Sequence, residues 1–131
     1  QRHLDGEALA AMVEEAKIAS ARFAREERVS EEWKLIWEIP PVPFHPDLIA
    51  HAEGAIAQVR GDSYRMASGA LHDASEVARA GVPTAMLFVQ SLRGLSHTKE
   101  EDTREEHLRL SVEALFELTQ RTMKWVEARR R

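Results

Sequence analysis

The sequence predicts an α/β fold, because segments with helical periodicity alternate with short segments of strand character. Apolar residues recur at helical spacing after Asp5, after Pro46 and after Thr103. Between these segments, residues 33–39 alternate apolar and polar side chains, as a strand with one buried face does. Residues 84–89 are almost continuously apolar, which is typical of a strand covered on both faces in a parallel sheet. Helices that alternate with strands indicate an α/β domain.

The predicted helices have recognisable start and stop signals. Asp5 is the expected N-cap of the first helix, which should fade near residues 26–28. Pro46 suits the first position of the second helix, and Gly61 ends it. Thr103 begins the last helix, because a glutamate three residues later completes the spacing of a capping box.

The remaining elements lie between the second and the last helix. Residues 63–67 are predicted as a short strand, and residues 68–73 as a loop. This loop leads into a third helix that should end near Ala80.

A proline-rich connector marks the expected domain boundary. Residues 40–46 contain four prolines in seven positions, which neither a helix nor a central strand accommodates. We therefore place the boundary after Pro40.

Composition excludes several functional classes. Lys plus Arg is 18 and Asp plus Glu is 22, so the formal net charge is −4. This balance does not indicate the basic surface that nucleic-acid binding requires. No apolar run reaches the length of a membrane helix, and no secretory signal is visible. Cysteine is absent, which excludes disulfides and thiolate sites and favours a cytoplasmic location. The chain begins at Gln1 rather than Met, so we expect a processed product or a piece of something longer.

Histidine is the residue type to test for chemistry, because imidazole binds metals and exchanges protons near neutral pH. His97 lies just beyond the predicted apolar strand, and α/β sheets bind ligands at the ends of such strands. An exposed loop histidine is an equally simple interpretation. His72 lies at a helix start, where Asp73 could instead be a cap and the histidine a bystander. His51 and His107 are predicted to be surface residues.

Other features have structural explanations. The acidic run at residues 100–102 favours the dipole of the helix that follows it. Trp33 and Trp37 are expected in a core or an interface. Neither a Gly-x-Ser-x-Gly elbow nor a phosphate-binding glycine loop with its lysine is present in the sequence.

Three segments together resemble a known family: SGALHDA at residues 68–74, PTAMLFVQS at 83–91 and GLSH at 94–97. They are similar to the C-terminal portion of the N-carbamoyl-L-amino-acid hydrolase and allantoate amidohydrolase family. These metal-dependent amidohydrolases are related to aminoacylases and zinc carboxypeptidases. The resemblance implies that residues 1–40 end a βαβ lid and dimerisation domain. Residues 41–131 would then form the C-terminal part of a zinc-peptidase-like catalytic domain.

The resemblance also assigns site residues. The family's Gly-Ile/Leu-Ser-His loop supplies its last metal ligand, which implies that role for His97. Its Gly-Ala-Gly-His-Asp-Ala loop lines the substrate pocket, which implies a substrate contact for His72. Leu71 replaces the second glycine of that loop, so backbone contacts and specificity should differ. Arg2 matches the end of an Asp-x-Arg motif whose guanidinium binds the substrate carboxylate, but the motif's aspartate would precede this chain.

For the whole enzyme, the resemblance implies two divalent metal ions. Zinc is the expected metal, and manganese and cobalt are alternatives. The reaction would be hydrolysis of the carbamoyl or amide C–N bond of N-carbamoyl or N-acyl amino acids, or of allantoate-like ureido acids. The family's remaining ligands, a His-x-Asp motif, a Glu-Glu pair and a second His, would lie upstream. Zinc needs three or four protein ligands, so this chain alone is predicted to be metal-free and inactive.

Expected partners are the N-terminal remainder of the enzyme, a small ureido or N-acyl amino acid, and a second copy in a homodimer or higher oligomer. Nucleic acid and membrane are not expected. An alternative is a truncated, non-catalytic member of the family that acts as an oligomerisation or partner-binding module. An unrelated small α/β binding domain is a third interpretation, and it requires the motif match to be accidental.

Overall fold

A computed structural model describes residues 3–130, and the regular secondary structure of these residues is entirely helical. The helices are α1 (Gly6–Glu27), α2 (Pro46–Arg60), α3 (Asp73–Arg79) and α4 (Glu105–Arg129), with a short 3-10 turn at Leu92–Gly94. The chain divides into two compact units, residues 1–43 and residues 44–131. Within residues 3–130, no helix combines the length and the apolar composition that crossing a bilayer requires.

The first unit contains α1, whose two ends agree with the sequence prediction. The carboxylate of Asp5 accepts hydrogen bonds from the backbone N–H groups of Glu7 and Ala8, at 2.8 and 3.3 Å. These bonds satisfy two donors that lack a partner within the helix. The helix ends where Arg28 adopts a left-handed conformation with φ of 56° and donates its N–H to the last turn.

The second unit begins with α2, and its predicted start and stop are also confirmed. Nδ1 of His45 accepts a hydrogen bond from the backbone N–H of Asp47 at 3.2 Å, so this histidine is the N-cap. Pro46 occupies the first turn, where its missing N–H costs nothing. Gly61 ends the helix with φ of 97°, a conformation that glycine adopts without steric cost.

The second unit is held together by the packing of α2 against α4. Trp125, near the end of α4, donates its indole N–H to the carboxylate of Asp47 at 3.0 Å. Arg121, one turn earlier in α4, donates to the side-chain oxygen of Gln58, which is near the end of α2. Because later residues of one helix meet earlier residues of the other, the two helices run antiparallel.

Small apolar residues line the contact between these helices. Ala52 and Ala55 lie one turn apart on α2 and are 6% and 0% exposed, and Ala114 of α4 is 5% exposed. Leu48 extends the buried row of α2 toward its N-terminus. Among residues 3–130 no large side chain is fully buried. The hydrophobic stabilisation of this unit is therefore small, because it scales with the apolar area removed from water.

The predicted strands at residues 33–39, 63–67 and 84–89 are wrong for this structure, so the α/β class and the βαβ lid are not observed. A strand requires a neighbour that pairs with its backbone N–H and C=O groups. Across the part of the chain that the structure describes, these segments form no ladder. Thr84 alone among them accepts a backbone bond, from His45 at 3.0 Å. Trp33 and Trp37 do not lie in a core of the described residues, because both side chains are exposed, and their placement in an interface stays a prediction.

The start of α4 also differs from the prediction. The N-cap is Arg104, whose side chain makes no capping bond, so the capping box at Thr103 does not form. The backbone N–H of Thr103 is instead bound by the carboxylate of Asp102 at 2.8 Å. Glu105 and Glu106 occupy the first turn, where their charge favours the helix dipole.

A two-pronged ion pair joins the segment after α2 to that helix. The guanidinium of Arg65 donates two hydrogen bonds to the carboxylate of Glu53. This bonding lowers the pKa of the Glu53 carboxyl group below its ordinary value of 4.5. Parallel donation to both oxygens fixes the orientation of the pair as well as its distance.

Trp125 provides the first stability test. Trp125→Ala should lower the free energy of unfolding by about 2 kcal/mol, because a large half-buried ring is lost from the α2–α4 contact. Trp125→Phe should cost about 1 kcal/mol, because it keeps most of the ring and loses the bond to Asp47. Urea unfolding followed by circular dichroism measures both. Trp37→Ala is the matched control, since that ring is exposed, and an equal loss from Trp37→Ala would contradict the assignment.

The Glu53–Arg65 pair provides a pH test. The folded pKa of Glu53 is depressed, so its contribution to stability is complete at neutral pH. That contribution should disappear as the pH falls through the acidic range below 4.5. The difference in Tm between the parent chain and Glu53→Gln should therefore shrink toward zero from pH 6 to pH 3. Glu113→Gln, on exposed α4 surface, is the control, and a difference that stays constant with pH would contradict the assignment.

Candidate functional site

The loop that carries His97 has an unusual backbone. Arg93 and His97 both adopt positive φ values, of 58° each, and Gly94 has φ of 66°. Residues other than glycine adopt this left-handed region infrequently, and such conformations occur often at functional sites. Both non-glycine residues therefore depend on surrounding contacts to hold the loop.

The acidic run that follows the loop supplies those contacts. The carboxylate of Glu101 accepts a hydrogen bond from the backbone N–H of His97 at 2.8 Å. Glu100 lies 3.8 Å from the guanidinium of Arg93, and the carbonyl of Asp102 accepts the N–H of Leu92 at 2.7 Å. The sequence interpretation, which gave these acids only a helix-dipole role, missed the loop closure. The spacing of four residues between His97 and Glu101 was the sequence feature that could have indicated this loop closure.

The imidazole of His97 is positioned to bind a group from outside. The side chain is exposed, and its ring makes no hydrogen bond or ion pair with the described residues. The loop therefore fixes the backbone of His97 and leaves both ring nitrogens available.

His72 lies on a second loop, at the start of α3. Its backbone is extended, with φ of −137°, and its side chain makes no capping bond to the helix. The ring is half-buried and meets Phe88 edge-on, with 6.2 Å between the ring centroids. Asp73, weighed as a possible cap, is the first residue of α3. Phe88, which sequence reasoning did not single out, therefore orients the His72 ring.

The two predicted site histidines lie on separate loops of the second unit. No hydrogen bond or ring contact joins His72 to His97 among residues 3–130. Arg2, the predicted carboxylate clamp, lies outside the described residues. Within the described part of the chain, no three His, Cys, Asp or Glu residues are grouped as a metal site requires.

A polar groove lies between α2 and α4, and sequence reasoning missed it. It has a volume of about 530 Å³, and its lining includes His51, Arg121 and Trp125. The prediction of His51 as a surface residue is wrong, because its ring is half-buried and lies 6.5 Å from the Trp125 ring. His107 is also half-buried rather than fully exposed. Gly54, an isolated glycine inside a helix, was the available signal of a close packing contact.

Comparison with known proteins gives a consistent relationship. Residues 4–121 match the family described as Peptidase family M20/M25/M40. The chain is 39% identical over 80 residues to the allantoate amidohydrolase of Bacillus subtilis (strain 168), covering 61% of this chain and 19% of that protein. It is 28% identical over 114 residues to the allantoate amidohydrolase of Escherichia coli (strain K12), covering 87% of this chain and 28% of that protein.

The matched segment thus spans less than a third of the length of either curated relative. No solved structure matches the chain. The family match covers most of the 131 residues, including both histidine loops and all of α1, α2 and α3. The chain belongs to the M20/M25/M40 peptidase family.

Proposed function

We propose that this chain is the C-terminal part of a metal-dependent amidohydrolase. The whole enzyme would hydrolyse the carbamoyl or amide C–N bond of N-carbamoyl or N-acyl amino acids, or of allantoate-like ureido acids. The similarity to two allantoate amidohydrolases supports this reaction class. The exposed imidazole of His97, on a loop closed by its own acidic residues, is the observation that carries the proposal.

Each candidate residue has a distinct proposed role. His97 would supply one metal ligand, because its ring nitrogens have no partner in the described residues. His72 would contact substrate, because Phe88 restrains the ring while leaving it partly accessible. Arg2 would bind the substrate carboxylate through the two parallel N–H donors of its guanidinium.

The metal ions would require residues beyond those described here. We propose two divalent metal ions for the whole enzyme. Zinc is the preferred metal of this proposal, and manganese and cobalt are its alternatives. Their remaining ligands would come from an N-terminal remainder of the same protein, which also forms part of this proposal. The chain itself would then contribute one ligand and part of the substrate pocket.

Uncovered apolar surface supports the need for that remainder. Leu35 and Ile36 are 75% and 85% exposed in the first unit, and Val112 and Phe116 of α4 are 66% and 61% exposed in the second. Exposed apolar side chains become stable in water when another part of the protein or a partner covers them. Burial against the N-terminal remainder, and in a cytoplasmic homodimer or higher oligomer, would remove them from water.

The same exposed surface favours a second candidate function. A truncated family member without upstream ligands would lack a metal centre and would act as an oligomerisation or partner-binding module. Its exposed side chains would then contact other copies or another protein.

Metal content tests the enzyme proposal. The source protein, isolated with any native upstream sequence, should have a mass near three times 14.9 kDa and about two metal ions per chain. His97→Ala should lower the metal content by about one ion and ammonia release from allantoate by at least about 100-fold. His107→Ala, on α4, is the matched control and should change neither. A mass of 14.9 kDa without metal would overturn the enzyme proposal and leave the second candidate.

Self-association tests the exposed surface. The 131-residue chain alone should form dimers or larger species in multi-angle light scattering at about micromolar concentration, because isolated apolar faces associate. The double variant Val112→Lys, Phe116→Lys should shift the chain toward monomer. Glu113→Lys, Glu117→Lys on the same helix is the control for added charge. A monomeric parent chain would contradict the association.

A further inference from the structure

The groove between α2 and α4 is separate from both histidine loops and has a different chemistry from the exposed apolar faces. Seven residues line its volume of about 530 Å³: His51, Gln58, Glu117, Gln120, Arg121, Lys124 and Trp125. The groove is open to solvent, so a ligand would be partly enclosed. Most of the lining side chains carry N–H donors.

Gly54 determines where the Arg121 guanidinium lies. A Cβ atom at position 54 would lie 2.9 Å from Nη1 and 3.4 Å from Cζ of Arg121. The guanidinium therefore lies against the α2 backbone in the space that any other residue would fill. This close approach places a permanent positive charge between the two helices.

The bond from Arg121 also sets the orientation of Gln58. Nη2 of Arg121 donates to the side-chain oxygen of Gln58 at 2.8 Å. Because that oxygen is occupied, the amide NH₂ group of Gln58 is left as a donor. Gln58 can both donate and accept hydrogen bonds, and beside the Arg121 guanidinium it therefore presents a donor.

The groove has more donors than acceptors. Nε of Arg121 and Nε2 of His51 are buried, and neither has a hydrogen-bond partner in the described structure. The guanidinium Nε–H is always a donor, so leaving it buried without a partner is costly, and an acceptor that reached it would be stabilising. Lys124 makes no ion pair within residues 3–130, and Glu117 is the single acid of the lining. With Arg121, the lining therefore carries one positive charge in excess.

We propose that this groove is a binding site for a tetrahedral oxyanion, a phosphate group in particular. Such a group presents four oxygens, which matches the donors of Arg121, Lys124, Gln58 and Gln120 better than the two oxygens of a carboxylate do. The indole of Trp125 forms the apolar end of the groove. The volume leaves room for the organic part of a phosphate ester beside this ring. The site lies on the packed pair α2–α4, so its geometry depends on neither histidine loop.

Phosphate titration of the full chain tests the proposal. In a Trp33→Phe, Trp37→Phe background, Trp125 is the sole indole, and its fluorescence should change saturably with inorganic phosphate. Potassium chloride at matched ionic strength should produce no such change. Sodium acetate should bind at least threefold more weakly than phosphate. Phenyl phosphate should bind more tightly than inorganic phosphate if an ester is the ligand, and equally if the free ion is.

Two variants locate the site. Arg121→Gln should weaken phosphate binding at least about tenfold, because it removes a charge-assisted donor. Gly54→Ala should weaken it by a smaller factor, because the added Cβ shifts the flexible guanidinium without changing any charge. Alanine is also the better helix former, so loss of binding in Gly54→Ala would not reflect loss of α2. Lys34→Gln, in the first unit, is the charge-matched control and should bind like the parent.

The alternatives give different results. Equal phosphate affinity in the parent, Arg121→Gln and Gly54→Ala would overturn the proposal. A fluorescence change that chloride reproduces would also overturn it, because it would show charge screening only. Tighter binding of acetate than of phosphate would exclude the tetrahedral oxyanion.

Discussion

The antiparallel contact between α2 and α4 is the constraint on which the second unit depends. Within residues 44–130 these are the two helices that pack on each other. Alanines allow their close approach, and Trp125 closes one end of the contact. Its indole donates to Asp47, its ring meets the His45 ring edge-on at 5.2 Å, and the Arg129 guanidinium lies 4.3 Å from the ring centroid. The capping residue of α2 is therefore held by the last turns of α4.

The same contact gives α4 two chemically different sides. Toward α2, the side chains of Arg121 and Lys124 line a polar groove, whereas other turns expose Val112 and Phe116. A polar groove with a fixed guanidinium is compatible with solvent and small ligands. An apolar side is stable only when something covers it. The proposed functions use these sides separately: a ligand site in the groove and a protein contact elsewhere on the helix.

Most local signals were predictable from the sequence, with the capping box at Thr103 as the exception, whereas long-range contacts were not. Asp5, Pro46 and Gly61 act through bonds or backbone angles within a few residues, so their positions in α1 and α2 followed from residue type. The strand prediction at 84–89 depended on partner strands, which the described residues do not supply. Periodicity identifies a segment that suits a sheet, but it does not identify the neighbour that would complete one.

The candidate site was likewise predictable from local motifs and not from long-range contacts. His97 was found from its motif, but its positive φ and the hydrogen bond from its backbone N–H to Glu101 were not, because they arise from loop closure. His51 was predicted as a surface residue, although Ala50 and Ala52 flank it in sequence. Its ring instead meets Trp125, 74 positions away, a contact that helix periodicity within α2 does not reveal.

Zinc binding by the isolated chain most directly tests whether this segment supplies one ligand rather than a metal centre. Equilibrium dialysis of the 131-residue chain against micromolar zinc, with the metal counted per folded chain, measures it. We predict no stoichiometric zinc on either the parent chain or His97→Ala, because a single imidazole holds zinc weakly. Stoichiometric zinc on the parent chain, lost in His97→Ala, would contradict the account by showing that these residues build a complete site.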